Sequence, residues 1–475
     1  MAAAIVQILL MGRGRAQRAV SVIATGLLAV AGCMLVAAVK GEGAVRLDVG
    51  GWTAPVGIRL QADMLSALMI AITGIIGFCG AVHGIGEVPA GDERRGYQPL
   101  YQFLLFGVCG SFLTNDLFNL YVWFEVMLLS SFALLALGGG KGQIEGAVKY
   151  VVLNIVASLV FLIGAGVLYA TLGTLNFGDI ATRISQGLGS QAGIRLSAVL
   201  LMLAFAVKAG MFPLYAWLPS SYHTPRHTVS AVFAGLLTKV GVYALIRTFG
   251  AAFVTEREFI LPILWWASLL TMVVGVLGAA SQFHTRRILS FHIISQIGYM
   301  TLGLALGTAG AISATIFYII HHIIVKSNLF FAASVIDRLG GGEDLKKTGG
   351  LYRKAPWLAV LFLIPALSLG GIPPFSGFWA KLALLKELFH SQAWFAGAVA
   401  LAVGILTLFS MTKIWAEAFW KDRPVDAGEV RTVGIAHILP MGILAAATIA
   451  ISIHPSLLFE LADIAARQLT NPSAP

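Results

Sequence analysis

Glu125 lies near the middle of an apolar run from Leu117 to Leu137, and Lys208, Lys239, Lys326 and Lys381 sit at comparable depths in later apolar runs. These residue types exchange protons. Burial weakens an amine's hold on its proton and a nearby carboxylate strengthens it, so moving or neutralising the carboxylate switches the lysine between holding and releasing. A charge at bilayer depth costs about 3 kcal/mol or more, so such residues face a protein interior or a hydrated cavity and pair with one another. Repeated across several runs, they predict a buried polar path through a membrane.

Histidines extend the set. In Ile316 to Lys326, His322 and Lys326 are four apart and share a helical face, with His321 adjacent. Imidazole relays protons near neutral pH, and two neighbouring histidines in a run that also holds a lysine favour a relay over helix packing. No carboxylate or cysteine accompanies them at ligand spacing, so no metal site is expected. His292, without a charged neighbour in its own run, is given less weight; Lys386, Lys413 and Arg247 are read as snorkelling from span ends.

The elements that must position these groups follow from composition. With 58% hydrophobic and 11% charged residues among 475, the chain has too few polar residues to cover a soluble globule, whereas lipid needs no such cover. It is read as an all-α polytopic membrane protein. The net charge of +10 has no soluble basic domain to carry it, so nucleic acid is set aside. Cys33, Cys79 and Cys109 lie in apolar segments without ligand spacing and read as packed side chains. Without a cysteine cluster, a glycine-rich phosphate loop or a nucleophile triad, no cofactor and no local catalysis are expected.

Spans of about 20 apolar residues are predicted at 19–39, 62–84, 99–114, 117–137, 147–171, 196–216, 228–249, 260–282, 287–306, 311–334, 356–388, 394–418 and 434–454. Met1 to Gly12 resembles the stub of a further span, truncated or mis-started, giving about 14 transmembrane helices. Arg94, Arg95, Arg226, Arg286, Lys346 and Lys347 fall on loops of one side, and the excess of basic residues there places that side inward and both termini outward. The segment Asp337 to Lys354, rich in glycine and lysine, reads as a solvated inward loop.

Two spans should be broken. Lys208 to Trp217 and Leu369 to Phe378 each place a glycine three residues before a proline, Gly210 before Pro213 and Gly371 before Pro374, with an aromatic residue four further on; Pro373 adds to the second break. Proline lacks a donor and clashes with the preceding turn. The breaks fall in spans seven and twelve, and an odd separation means opposite directions of crossing, as in inverted-topology repeats. The organisation read from this is residues 1–98 for the first three helices, 99–250 and 260–420 for two inverted five-helix repeats, and 421–475 for a last helix and tail.

Asp116 to Glu125, Lys208 to Tyr222, His321 to Lys326 and Gly370 to Lys381 together resemble the antiporter-like membrane subunits of respiratory complex I and its relatives. The forms Phe118-Asn-Leu-Tyr-Val-Trp-Phe-Glu-Val126 and His321-His-Ile-Ile-Val-Lys326 most resemble the D-type subunit of Mrp-type multisubunit sodium/proton antiporters. The resemblance implies that Glu125 pairs with Lys208 on broken helix seven, and that Lys239 and His321 connect onward to Lys381 on broken helix twelve. It further implies a proton-translocating subunit that exchanges sodium for protons beside other membrane subunits, in the lipid bilayer of a bacterial inner membrane. The alternative is the same part in complex I or a membrane-bound hydrogenase, driven by electron transfer elsewhere; a scaffold or lipid-handling enzyme would instead tolerate change at Glu125 and Lys208. The chain departs from the family in its short first helix. Its halves also differ, because Lys208 precedes its break and Lys381 follows its own.

Overall fold

Each predicted span is helical in the computed structural model, which describes residues 1–53, 55–425 and 427–470. In chain order the principal elements are α1 (Ala2–Leu9), α2 (Gly14–Glu42), a hairpin of β1 (Val45–Asp48) and β2 (Arg59–Ala62), α3 (Met64–Glu87), α4 (Tyr97–Leu113), α5 (Leu117–Ala136), α6 (Lys141–Leu172) and α7 (Gln191–Ala209). There follow α8 (His227–Ala252), α9 (Val254–Ser281), α10 (Thr285–Leu306), α11 (Ala309–Gly340), α12 (Pro356–Gly370), α13 (Ser376–His390), α14 (Trp394–Trp420), α15 (Ile435–Ile453) and α16 (Pro455–Thr470). Among the described residues, 11 helices are long and apolar enough to cross a membrane.

Local signals start several of them. The Asp63 carboxylate accepts from Ser66 N (2.9 Å), that of Asp116 from Asn119 N (2.8 Å), and the Thr308 hydroxyl from Ala311 N (3.1 Å), satisfying amides that no helical carbonyl can reach. Burial then sorts the helices into two shells. The apolar windows of α8 and α11 are 100% buried and that of α10 is 94% buried, against 17% for α2. A helix that is apolar all round belongs in a core, and one exposing its apolar side chains belongs against lipid or a partner. Lys239, His321, His322 and Lys326 therefore ride on the innermost helices.

Both breaks form. α7 ends at Gly210 (φ 79°) before the chain passes Pro213 into a short turn of helix at Trp217–Ser221; α12 ends at Gly371 (φ 85°) and α13 begins at Ser376 after Pro373 and Pro374. A left-handed residue is what a helix C-terminus favours, and glycine adopts it without a Cβ clash. α8 carries two π-helical segments, Phe233–Leu237 and Thr248–Ala252, which no sequence signal marks.

Three expectations are corrected. Arg247 does not snorkel; it is buried and grips Asp63 with both terminal nitrogens, while Nε donates to Tyr243 Oη (2.9 Å) and Nη2 to Ser66 Oγ (2.7 Å). The segment from Asp337 to Lys354 is not a fully solvated loop, since Leu345 and Thr348 are buried and Glu343 is engaged with Arg286, His227 and His284. The tail is helical over Pro455–Thr470: α16 lies on α11 and α3, with Phe459 stacked on Phe317 (4.2 Å) and Met64 N donating to Gln468 (2.8 Å). The β hairpin also escapes a search for apolar runs; it pairs Val45 with Ala62 and Asp48 with Arg59, whose side chains join at 2.7 Å.

Removing one partner of the Asp63–Arg247 pair leaves a buried charge alone, at a cost of about 3–5 kcal/mol. Arg247→Ala should lower the thermal unfolding midpoint of the detergent-solubilised protein, and adding Asp63→Ala should restore part of the loss. Equal or additive losses in the single and double variants would show that the pair is not what joins α3 to α8.

Candidate functional site

Two half-sites flank a central cluster. In the first, Glu125 on α5 is half-buried, with Oε1 enclosed and unpartnered among the described residues. Lys208, 5% exposed in the last turn of α7, points its Nζ at α6, donating to Ser158 Oγ (3.2 Å) and Asn154 O (3.3 Å) beneath the ring of Phe124 (5.7 Å). Lys208 and Glu125 thus share a neighbourhood through Phe124, the residue before Glu125, without a direct ion pair.

In the second half-site the break itself supplies the acceptors. Lys381 on α13 donates to the carbonyls of Leu369 (3.0 Å) and Gly370 (2.9 Å), the last residues of α12. Helix C-termini leave four carbonyls unpaired and carry partial negative charge, so an ammonium is held there without a carboxylate. The Tyr299 ring lies 5.5 Å from Nζ, and both line a cavity of about 250 Å³ with Gly371 and Gly404. Gly371 serves twice, since a Cβ there would also come within 2.7 Å of Lys381 Cδ.

His321 spans the same break. Its Nδ1 is 2.8 Å from Ser376 Oγ, the first residue of α13, and Ser376 Oγ is 3.0 Å from Ser368 Oγ near the end of α12. Ser368, Leu369 and Gly370 are consecutive, so Lys381 contacts the carbonyl-rich end of α12 directly and His321 reaches the same end through Ser376. Gly377 permits this approach: a Cβ would fall 1.7 Å from Ser368 O and 3.0 Å from His321 Nε2.

Lys239, His322 and Lys326 are fully buried between the half-sites. Lys239 Nζ donates to Ala234 O, a carbonyl inside the π-helical segment of α8, where the wider turn frees an acceptor. His322 lies within electrostatic reach of Lys239, Lys326, His321 and His292. Among the described residues, Lys326 Nζ, both nitrogens of His322 and of His292, Ser295 Oγ and both amide atoms of Asn328 have no hydrogen-bond partner. Buried polar groups are nearly always paired, with protein or with ordered water, and this concentration of unpaired donors and acceptors is suited to a hydrated proton path.

The residues singled out in the sequence therefore gather into one band, Glu125 and Lys208 at one side and Lys381 at the other. His292 belongs to that band too. The signal that could have found it was absent from its own run, because its charged neighbours, Lys326, Lys381 and Lys413, come from α11, α13 and α14. Among the described residues no group of three or more His, Cys, Asp or Glu is arranged to hold a metal ion.

The family described as NADH:quinone oxidoreductase/Mrp antiporter, transmembrane, matches residues 114–410. The chain is 43% identical over 457 residues to the D-type subunit of a Na(+)/H(+) antiporter from Alkalihalophilus pseudofirmus, covering 96% of this chain and 92% of that one. To the corresponding Na(+)/H(+) antiporter chain of Bacillus subtilis, also a D-type subunit by name, it is 39% identical over 447 residues, with 92% and 89% covered. Among solved structures it resembles a chain of the Mrp complex from a Dietzia species (TM-score 0.92, 31% identity, 99% of this chain and 96% of that one). It also resembles one from the membrane-bound sulfane sulfur reductase, an archaeal respiratory membrane complex (TM-score 0.90, 26% identity, 99% and 96%).

Gly377→Ala should force α12 and α13 apart or displace His321, an overpacking cost of about 1–3 kcal/mol. Gly166→Ala, whose added Cβ on α6 meets nothing within 4 Å, is the control. Thermal unfolding in detergent should show a lowered midpoint for the first and an unchanged one for the second; equal midpoints would mean the close approach at Gly377 does not constrain the break.

Proposed function

Because the chain belongs to the NADH:quinone oxidoreductase/Mrp antiporter family of membrane subunits, we propose that it is the D-type, proton-translocating subunit of a multisubunit Na+/H+ antiporter in a bacterial inner membrane. Other membrane subunits complete the complex, and the exposed apolar faces of α2 and α6 are available to them and to lipid. The chain acts as a secondary transporter and not as an enzyme. A redox-driven role is the weaker reading, because the two sequence relatives described above are antiporter subunits by name.

The observation that carries the reading is the band of buried cations and imidazoles on the innermost helices. Among the described residues each lysine in it has only neutral acceptors or none, so its charge is held against a desolvation cost that a change in a neighbour's charge can tip. Protons pass laterally from Glu125 and Lys208 through Lys239, His322, Lys326 and His321 to Lys381, with residues 99–250 and 260–420 as the two halves of the route. Gly210 and Pro213 in the first half, and Gly371, Pro373 and Pro374 in the second, free the backbone where the route approaches aqueous space. Cytoplasmic sodium leaves as protons enter, driven by the membrane potential and the proton gradient.

In everted vesicles, Glu125→Ala and Lys208→Ala should each abolish sodium-dependent collapse of the pH gradient without preventing assembly. Lys381→Ala should give a comparable loss. Wild-type exchange in any of the three, with the complex intact, removes that residue from the route.

A further inference from the structure

Away from the central band, at the end of the molecule that the basic loops assign to the inside, five titratable side chains from four elements stand in a row, each within 3.5 Å of the next. His284 Nδ1, just before α10, lies 3.3 Å from Glu343 Oε2 in the turn after α11. Glu343 Oε1 lies 3.2 Å from His227 Nε2 at the start of α8, and His227 Nδ1 lies 3.1 Å from Glu87 Oε1 at the end of α3. Glu87 Oε2 reaches His83 Nδ1 at 3.5 Å, and Thr228 Oγ1 bridges them, 2.7 Å from the imidazole. Side-chain exposure falls steadily along this order, from 36% at His284 through 11% at Glu343 and His227 and 7% at Glu87 to 0% at His83.

We propose that this carboxylate–imidazole chain is an inward proton port, through which protons exchange between the inner aqueous face and the transporting interior. A proton arriving at one ring nitrogen of His227 is matched by loss of the proton on the other, so the imidazole passes protons between Glu343 and Glu87 without net change. The alternation of acid and imidazole supplies acceptors at every step. His227 opens the helix that carries Lys239 twelve residues on, about 18 Å along the axis.

The surroundings are charged on every side. Arg286 binds Glu343 and donates to Pro225 O, Arg226 pairs with Asp92 (2.8 Å), and Arg338 donates to Gly86 O (3.4 Å). Tyr97 and His437 close the inner end. Burial opposes charge on Glu343, but Arg286 and His227 hold its carboxyl below the ordinary carboxylate range; burial and Arg286 push His284 down against the pull of Glu343. Unpartnered nitrogens point past a purely structural pin. His83 Nε2 and both nitrogens of His437, whose ring sits 5.2 Å from His83 in the space left by Gly86, have no hydrogen-bond partner among the described residues, nor do His227 Nε2 and His284 Nδ1, which face Glu343 at ion-pair distance.

The port rests on the transport reading above, and the test separates the two. Everted vesicles present the inner face to the medium, so medium pH titrates the chain directly. His227→Gln, Glu343→Gln and His83→Gln should each assemble and shift the medium pH of half-maximal exchange by about one unit, the scale on which coupled groups perturb each other, with the half-maximal sodium concentration unchanged. Lys208→Ala is run beside them. Loss of exchange in Lys208→Ala with wild-type pH profiles in all three variants would overturn the port alone; wild-type exchange in Lys208→Ala would overturn both. A merely structural cluster would lower the amount of assembled complex and leave the pH profile in place.

Discussion

Ammonium groups held in a membrane-spanning interior by neutral acceptors are the constraint from which the other features follow. Isolated at bilayer depth, each would cost about 3 kcal/mol or more, and four such lysines would exceed what a marginally stable chain tolerates. The fold meets this with backbone. Lys381 is held by the terminal carbonyls of α12, Lys239 by a carbonyl of a π-helical turn, and Lys208 by a carbonyl and a hydroxyl of α6. At Lys381 and Lys239 irregular helix is thus placed where a cation needs an acceptor, whereas Lys208 draws on the regular helix α6.

Neutral acceptors have a functional consequence. A carboxylate salt bridge locks a lysine in its charged form, whereas a carbonyl stabilises the ammonium while leaving it sensitive to charges further away. Lys326, with no acceptor among the described residues, sits at the extreme of that sensitivity, surrounded by His322, His292 and Lys239. The two halves solve the problem differently: Lys208 precedes its break and reaches across to another helix, while Lys381 follows its break and reaches back to it. That asymmetry was legible in the spacing of lysine to glycine in each motif, and the geometry gives its reason.

The membrane spans, the breaks at Gly210 and Gly371, and the residues of the band could be read from the chain because each is a departure from a strong local pattern, a charge or a proline inside an apolar run. What could not be read depends on partners distant in sequence. His292 looks solitary until α11 packs beside it; Arg247 looks like a snorkelling residue until Asp63, 184 positions away, meets it. Glu343 looks like part of a glycine-rich loop until Arg286 and His227 enclose it. The π-helical turns leave no mark in composition, and the β hairpin is too short and too exposed to stand out against much longer apolar runs. The family resemblance carried by the four motifs reached the right superfamily and subunit type; Lys208 lies within electrostatic reach of Glu125, and its hydrogen bonds go to α6.

Whether the unpaired Lys326 amine at the middle of the band carries protons is measured most directly by sodium-driven proton flux in proteoliposomes. These would be reconstituted with purified complex bearing Lys326→Met, a substitution close in volume and shape that removes only the charge and the exchangeable protons. Flux should be lost while the complex remains assembled and as thermally stable as the wild type or more so, because an unpartnered buried polar group has gone. Undiminished flux would contradict the proton route, and would make Lys326 a buried structural residue and the band no pathway.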